Sequence, residues 1–285
     1  MQFHKTIFTC FLVFVPTWIF AQRNQYVNVL NLQTEVNKPN AIEASVFSDK
    51  GAWHAYALPI KKEDYGSFIG PLLMDMRGAW LGSNFSQLQV FEQGQPISLQ
   101  NAKTSLNYYP GLLKQELEIS GLKILLQLIF VSNREALLQT KIVNLSTQNR
   151  NLSVVFKGVA LLPGAKMNAT GNRLAVSFAG NDHHFFIQYL TKESPAIQTG
   201  NNNYSASFPV YSLAKGQSFE LSQIQSFYLQ SSEIVPSKTY QFTAELAKNE
   251  QRWNSYLRKY FSKAPPLPAE KRKLAVKSMI TLITN

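Results

Sequence analysis

Any chemistry in this chain would have to come first from residues 47–90, where carboxylates, a histidine and large aromatic rings crowd together. Asp49, Glu63, Asp64 and Asp75 are the carboxyl groups of that stretch. A pair of carboxyl groups can run acid–base chemistry, one protonating a leaving oxygen while the other activates water. No local spacing singles out such a pair, and carboxylates in loops ordinarily cap turns or face solvent. His54 follows Trp53, and an imidazole there can hydrogen-bond a hydroxyl or a backbone group; the competing reading is a structural histidine in the loop. Trp53, Phe68, Trp80 and Phe85 each carry a flat apolar face, with Gly51, Gly66 and Gly70 among them. A loop so built can present rings to a sugar. It can equally form a tightly packed corner of a β domain.

Elsewhere the chemical signals are weaker. His183 and His184 are neighbours on a strand start, so their side chains point to opposite faces, which is poor for chelating one metal. There is no serine–histidine–acid order around a Gly-x-Ser-x-Gly, no P-loop and no Gly-x-Gly-x-x-Gly, so triad hydrolysis and nucleotide binding find no support. No cofactor and no metal are expected, and no catalytic residue is assigned.

The elements that must position these residues follow from hydrophobic period. With 45% hydrophobic and 16% charged residues, the chain has ample material for a packed core. Residues 1–21 read as a secretory signal: Lys5 supplies the positive region, 7–20 the apolar run and Ala21 the small residue before a cut. The run is too short for a good membrane span, and an exported, periplasmic or secreted location is expected. Cys10 lies within it, leaving no cysteine for disulfides or thiolate metal sites. From Leu88 onward the period is two: 113–119 and 124–130 flank Ser120-Gly121 as a hairpin, and further strand-like runs cover 136–143, 152–161, 174–178, 185–190 and 219–230. This predicts a large antiparallel β-sandwich over 22–236.

After Pro236 the period becomes helical. Leu246, Trp253, Leu257, Tyr260 and Phe261 share a face of a helix expected over 238–263, with Lys248, Arg252 and Lys259 off that face. Residues 264–268, Ala-Pro-Pro-Leu-Pro, stop it, so that 237–268 form a linker helix and spacer. A new helix starts near Ala269 with an apolar stripe of Leu274, Met279 and Leu282 that is expected to be exposed. The net charge is +11, and ten basic residues against three acidic ones fall in 238–285. They are spread along two amphipathic helices rather than gathered in a motif, so no nucleic-acid partner is expected.

The stretch 47–90 resembles the N-terminal domain of glycoside hydrolase family 63 and its bacterial glucosidase relatives. The likeness is carried by Phe47, Asp49, Gly51-Ala52-Trp53-His54, Leu58-Pro59, Gly66, Phe68, Gly70 and Ser83-Asn84-Phe85, and continues more weakly to Gln251-Arg252-Trp253. Ala55 and Ser67 depart from it, which bears on the fine shape of the loop. The resemblance implies a mainly β fold: an antiparallel β-sandwich, a linker helix, and over 269–285 the first helix of an (α/α)6 barrel otherwise absent from the chain. It implies an inverting glycoside hydrolase whose acid and base, set roughly 6.5–9.5 Å apart, belong to that barrel. On this reading the chain alone is inactive. Its partners are the catalytic barrel and an oligosaccharide, and Trp53, His54 and Phe68 lie near the substrate. A free-standing carbohydrate-binding or structural sandwich is the alternative.

Overall fold

The period-two stretches form strands whose inward residues are nearly all apolar. The computed structural model describes residues 23–40, 45–75, 78–236 and 239–284. The expected signal over 1–21 and the expected helix start at Lys238 lie outside the described residues. The strands are β1 (Gln33–Thr34), β2 (His54–Pro59), β3 (Ile69–Leu73), β4 (Ala79–Trp80), β5 (Gln87–Glu92), β6 (Gln95–Ile97), β7 (Lys103–Tyr109), β8 (Leu112–Ile119) and β9 (Leu122–Phe130). They continue as β10 (Glu135–Asn144), β11 (Arg150–Val159), β12 (Ala165–Thr170), β13 (Arg173–Phe178), β14 (His184–Tyr189), β15 (Ala196–Thr199), β16 (Asn203–Ser207), β17 (Tyr211–Leu213) and β18 (Ser218–Tyr228). Two helices close the chain, α1 (Phe242–Lys263) and α2 (Ala269–Thr284).

Eight strands pair in the order β12-β13-β14-β18-β10-β9-β8-β7, and a second sheet runs β15-β16-β11-β5-β6 with β17 added on β11. Both are antiparallel. The hairpin of β8 and β9 turns on Ser120 and Gly121, both at positive φ, as a two-residue turn requires. Inner side chains of the two sheets, such as Leu128 and Ile124 from one and Val154, Phe156 and Val90 from the other, belong to one hydrophobic core. Phe156 of β11 meets Tyr189 of β14 at 6.0 Å between ring centroids, a direct contact across that core. A small sheet, β1-β2-β3-β4, lies apart from the two large ones in hydrogen bonding, and its β1–β2 pairing is parallel, an exception to the expected antiparallel rule.

One end of the outer face of the eight-stranded sheet is apolar. There Leu112, Ile129, Leu137 and Ile224 are covered by Phe242 and Leu246 of α1. The helix buries Phe242, Asn249, Trp253, Asn254 and Leu257, close to the face expected, although Tyr260 remains 38% exposed. Helix α2 begins where the proline spacer ends and turns Val276, Met279 and Ile280 inward. Its expected stripe is therefore corrected in part: Leu274 and Leu282 are exposed, while Met279 is buried with Val276 and Ile280, whose spacing puts them on the face toward α1. Among the described residues no helix is long and apolar enough to cross a membrane.

A clamped loop with one exposed indole

The segment before β2 is a tight turn. Lys50 and Gly51 both take positive φ, and the Ala52 amide donates to the Asp49 carbonyl at 3.1 Å. Glycine is needed at the second of these positions because a side chain there is strained. Phe47 and Tyr56 pair across the turn through two backbone hydrogen bonds of 2.6 and 2.9 Å. This hairpin aims the Asp49 side chain away from solvent, where it is fully buried.

A buried carboxylate must be satisfied, and the partners of Asp49 arrive from 203 residues away in α1. Arg252 donates to both carboxylate oxygens, at 3.0 Å to Oδ1 and by a short bond to Oδ2. Trp253 Nε1 donates to Oδ2 at 3.2 Å, and the Lys50 amide donates to Oδ1 at 2.7 Å. The guanidinium also lies over the Trp253 and Tyr256 rings, at 5.2 and 5.7 Å from their centroids. Arg252 was expected off the packed face. It is instead drawn into the packed contact, because its long stem reaches back to Asp49 from the flank of the helix. Gly111, after β7, makes room for the indole: a Cβ there would sit 2.1 Å from Trp253 Nε1. Arg23 completes the dock, its amide donating to Asn254 Oδ1 at 3.0 Å and its guanidinium to Asn249 Oδ1 at 3.3 Å.

The residues expected near a substrate divide sharply. Trp53 is 40% exposed, with the Arg134 guanidinium 5.7 Å from its ring centroid. Arg134 is itself held by Glu233 at 2.5 Å, so that the turn after β9 and the segment after β18 both steady the indole. His54 is fully enclosed, its ring 5.2 Å from Phe130 and 5.6 Å from Tyr56 between centroids. Burial pushes its imidazole down to about 3, helped by the charge of Arg134 and opposed by the Gln225 backbone. Neutral His54 thus props the strand behind Trp53. Phe68 is likewise buried, beside Ser67, whose carbonyl accepts from Gln115 Nε2 at 2.5 Å. Trp80 and Phe85 are buried too, as the packed-corner reading requires.

The four carboxylates of the stretch are not drawn into one group. Asp49 is taken by the helix, whereas Asp64 accepts from Asn84 Nδ2 at 3.0 Å, linking the Gly66–Gly70 turn to Ser83-Asn84-Phe85. Burial raises the Asp64 carboxyl above its ordinary range, with Lys61 and the Asn84 bond opposing. Asp75 accepts from the Gly78 amide at 2.8 Å, and Glu63 is exposed. His184 stacks on Phe186 outside the sheet while His183 meets Phe227 of the core, on opposite faces as their adjacency dictates. Among the described residues no group of three histidine, cysteine or acidic side chains is placed to hold a metal.

Fold and corner together define a mainly β domain that fixes its own helical extension and leaves one indole open at the junction. The chain belongs to the family of N-terminal domains of glucosidase YgjK, whose model matches residues 30–177, just over half of the chain. Its fold is similar to that of a human-microbiome protein assigned as a kojibiose phosphorylase, at 10% identity and a TM-score of 0.53. That match covers 74% of this chain but 35% of the other, so the chain spans about a third of the protein it resembles. A galactose mutarotase related enzyme from Lactobacillus acidophilus overlaps 67% of this chain and all of its own, at 8% identity and a TM-score of 0.47.

Proposed function

We propose that this chain is the accessory N-terminal β-sandwich of an exported glycoside hydrolase related to family 63, with an α-glucosidase-like activity on oligosaccharides. The observation that carries the reading is the bond of Asp49 to Arg252 and Trp253. It ties the loop that exposes Trp53 to the helix that leads out of the β domain, so a catalytic domain carried on that helix would be held in fixed relation to the indole. The family match supports a glucosidase, and the face-to-face meeting of the two large sheets supports a sandwich. The partner we assign is a catalytic (α/α)6 barrel of which α2 is the first helix. Leu274 and Leu282, 65% and 82% exposed, and an apolar groove of about 440 Å³ between Tyr256, Tyr260, Met279 and Ile283 are surfaces further helices would cover.

The test is Trp53→Ala in a glucosidase that contains both this domain and the barrel. Stacking on an aromatic ring contributes about 0.5–1.5 kcal/mol, so kcat/KM should fall roughly 2- to 12-fold while the melting temperature moves little. A lowered melting temperature with unchanged kinetics in the folded fraction would return Trp53 to the packing of the corner.

A second expectation concerns the chain by itself. It should hydrolyse no α-glucoside, because on this reading the general acid and base belong to the barrel. Turnover by the purified chain that disappears when one of its own carboxylates is replaced would overturn the proposal.

A further inference from the structure

The outer face of the eight-stranded sheet carries a polar cavity, remote in sequence from the Trp53 loop. Its volume is about 340 Å³, and it is lined by Asn168, Thr170, Asn172, Arg173, Gln188 and Phe186, with Ala175. Strand register explains the assembly: Thr170, Arg173 and Gln188 sit opposite one another across β12, β13 and β14, and Asn168, Ala175 and Phe186 form the next row. The small Ala175 lowers the floor between its two neighbours. A cavity of about 490 Å³ adjoins the first and shares Asn172 and Gln188 with it, continuing past Gln139, Ser222 and Lys192. The result is a trough long enough for more than one ring.

Arg173 decides the chemistry. Its guanidinium sits over Phe186, 3.7 Å from the ring centroid, and its Nε is buried without a hydrogen-bond partner. Among the described residues it forms no ion pair and no hydrogen bond through its side chain. Phe186 is buried beneath it, so the ring is closed to a sugar and the plate of guanidinium donors faces the cavity in its place. The acid of the adjoining cavity, Glu220, is occupied by Lys141 at 2.8 Å and Gln139 at 3.1 Å, which leaves Arg173 and Lys192 without an ion pair among the described residues. A cation held partly out of water favours an anion, and a planar fork of donors matches a carboxylate. The remaining lining is amide and hydroxyl, which both donate to and accept from hydroxyl groups.

We propose that this trough binds an acidic oligosaccharide, with the carboxylate of a uronate residue on Arg173 and the hydroxyls of that and a neighbouring sugar on Asn168, Thr170, Asn172 and Gln188. The site uses none of the residues of the Trp53 corner and does not depend on the glucosidase reading.

Calorimetric titration of the chain tests it with trigalacturonate, with the same trisaccharide after reduction of its carboxyl groups, and with inorganic sulfate. Trigalacturonate should bind saturably and at least about tenfold more tightly than the reduced sugar or sulfate. Arg173→Lys keeps the charge but loses the fork, and should weaken binding at least about tenfold with the melting temperature little changed. Gln188→Ala, which leaves the stack on Phe186 intact, should weaken it as well and serves if the lysine variant does not fold. Equal binding of the reduced sugar, equal binding of sulfate, no saturable binding of trigalacturonate, or full affinity in Arg173→Lys or Gln188→Ala would each overturn the proposal.

Discussion

Replacing Asp49 with alanine should cost the fold about 3–5 kcal/mol and release α1 from the β domain, because it strands the Arg252 guanidinium and the Trp253 N–H beside an apolar pocket. The carboxylate is wholly buried and its ion pair closes the contact between segments 203 residues apart, so water cannot replace it without opening the dock. Denaturant unfolding followed by amide hydrogen exchange measures both effects. Exchange in α1 should rise to that of a frayed helix while β8, β9 and β10 stay protected, since a helix freed from its packing face is marginal in water. Asp49→Asn should fall between the two, retaining shape and one acceptor but not the charge. A loss under about 1 kcal/mol, with α1 as protected as before, would show that apolar packing of Phe242, Trp253 and Leu257 suffices to hold the helix.

That dock explains which parts of the molecule could be read from its residues. The hairpin of β8 and β9, the long strands β10, β11 and β18 and both helices fall close to where hydrophobic period places them. In these segments one face is buried continuously, and the pattern is long enough to distinguish a period of two from one of 3.6. Strands of two or three residues, such as β1, β4, β6 and β17, carry no period at all. They exist because a neighbouring strand offers unpaired backbone groups. The same applies to the parallel pairing of β1 on β2, which only tertiary contact decides.

The sites were legible in a different way. Residue types drew attention to 47–90, and both Asp49 and Arg252-Trp253 stood within the recurring pattern, yet nothing in either stretch shows that they meet. The signal was available: an aspartate next to a positive-φ turn and a tryptophan beside an arginine on an amphipathic helix each want a partner, but sequence alone does not pair them. The burial of His54 behind the loop is not legible in the sequence, since alternation gives no guide in β2, where all six residues are buried. Arg173 gave no signal, because its significance lies in a register that sets it between Thr170 and Gln188 and in a phenylalanine two residues before that glutamine.

Acid should unfold this domain earlier than carboxylate protonation alone would require, with His54 as the source of the difference. Its imidazole is enclosed by Phe130 and Tyr56, with Arg134 adding repulsion, and these hold it neutral down to about 3 against an ordinary value of 6.5. The unfolded chain takes up a proton on His54 as pH drops through 6.5, whereas the folded chain does not until about 3. Between those values the unfolded state binds more protons, so the stability contributed by keeping His54 neutral is complete above 6.5 and is lost progressively as pH falls. The interval sets an upper limit of about 5 kcal/mol at full burial. His54→Leu removes the titrating group while filling similar space between the rings, so its stability curve should be flatter over pH 3–6.5 than that of the parent protein. Subtracting the two curves cancels the carboxylates they share and isolates the histidine. Parallel curves across that range would mean that the folded protein accepts a proton on His54 without cost, and that the space around Trp53 opens far enough to admit water.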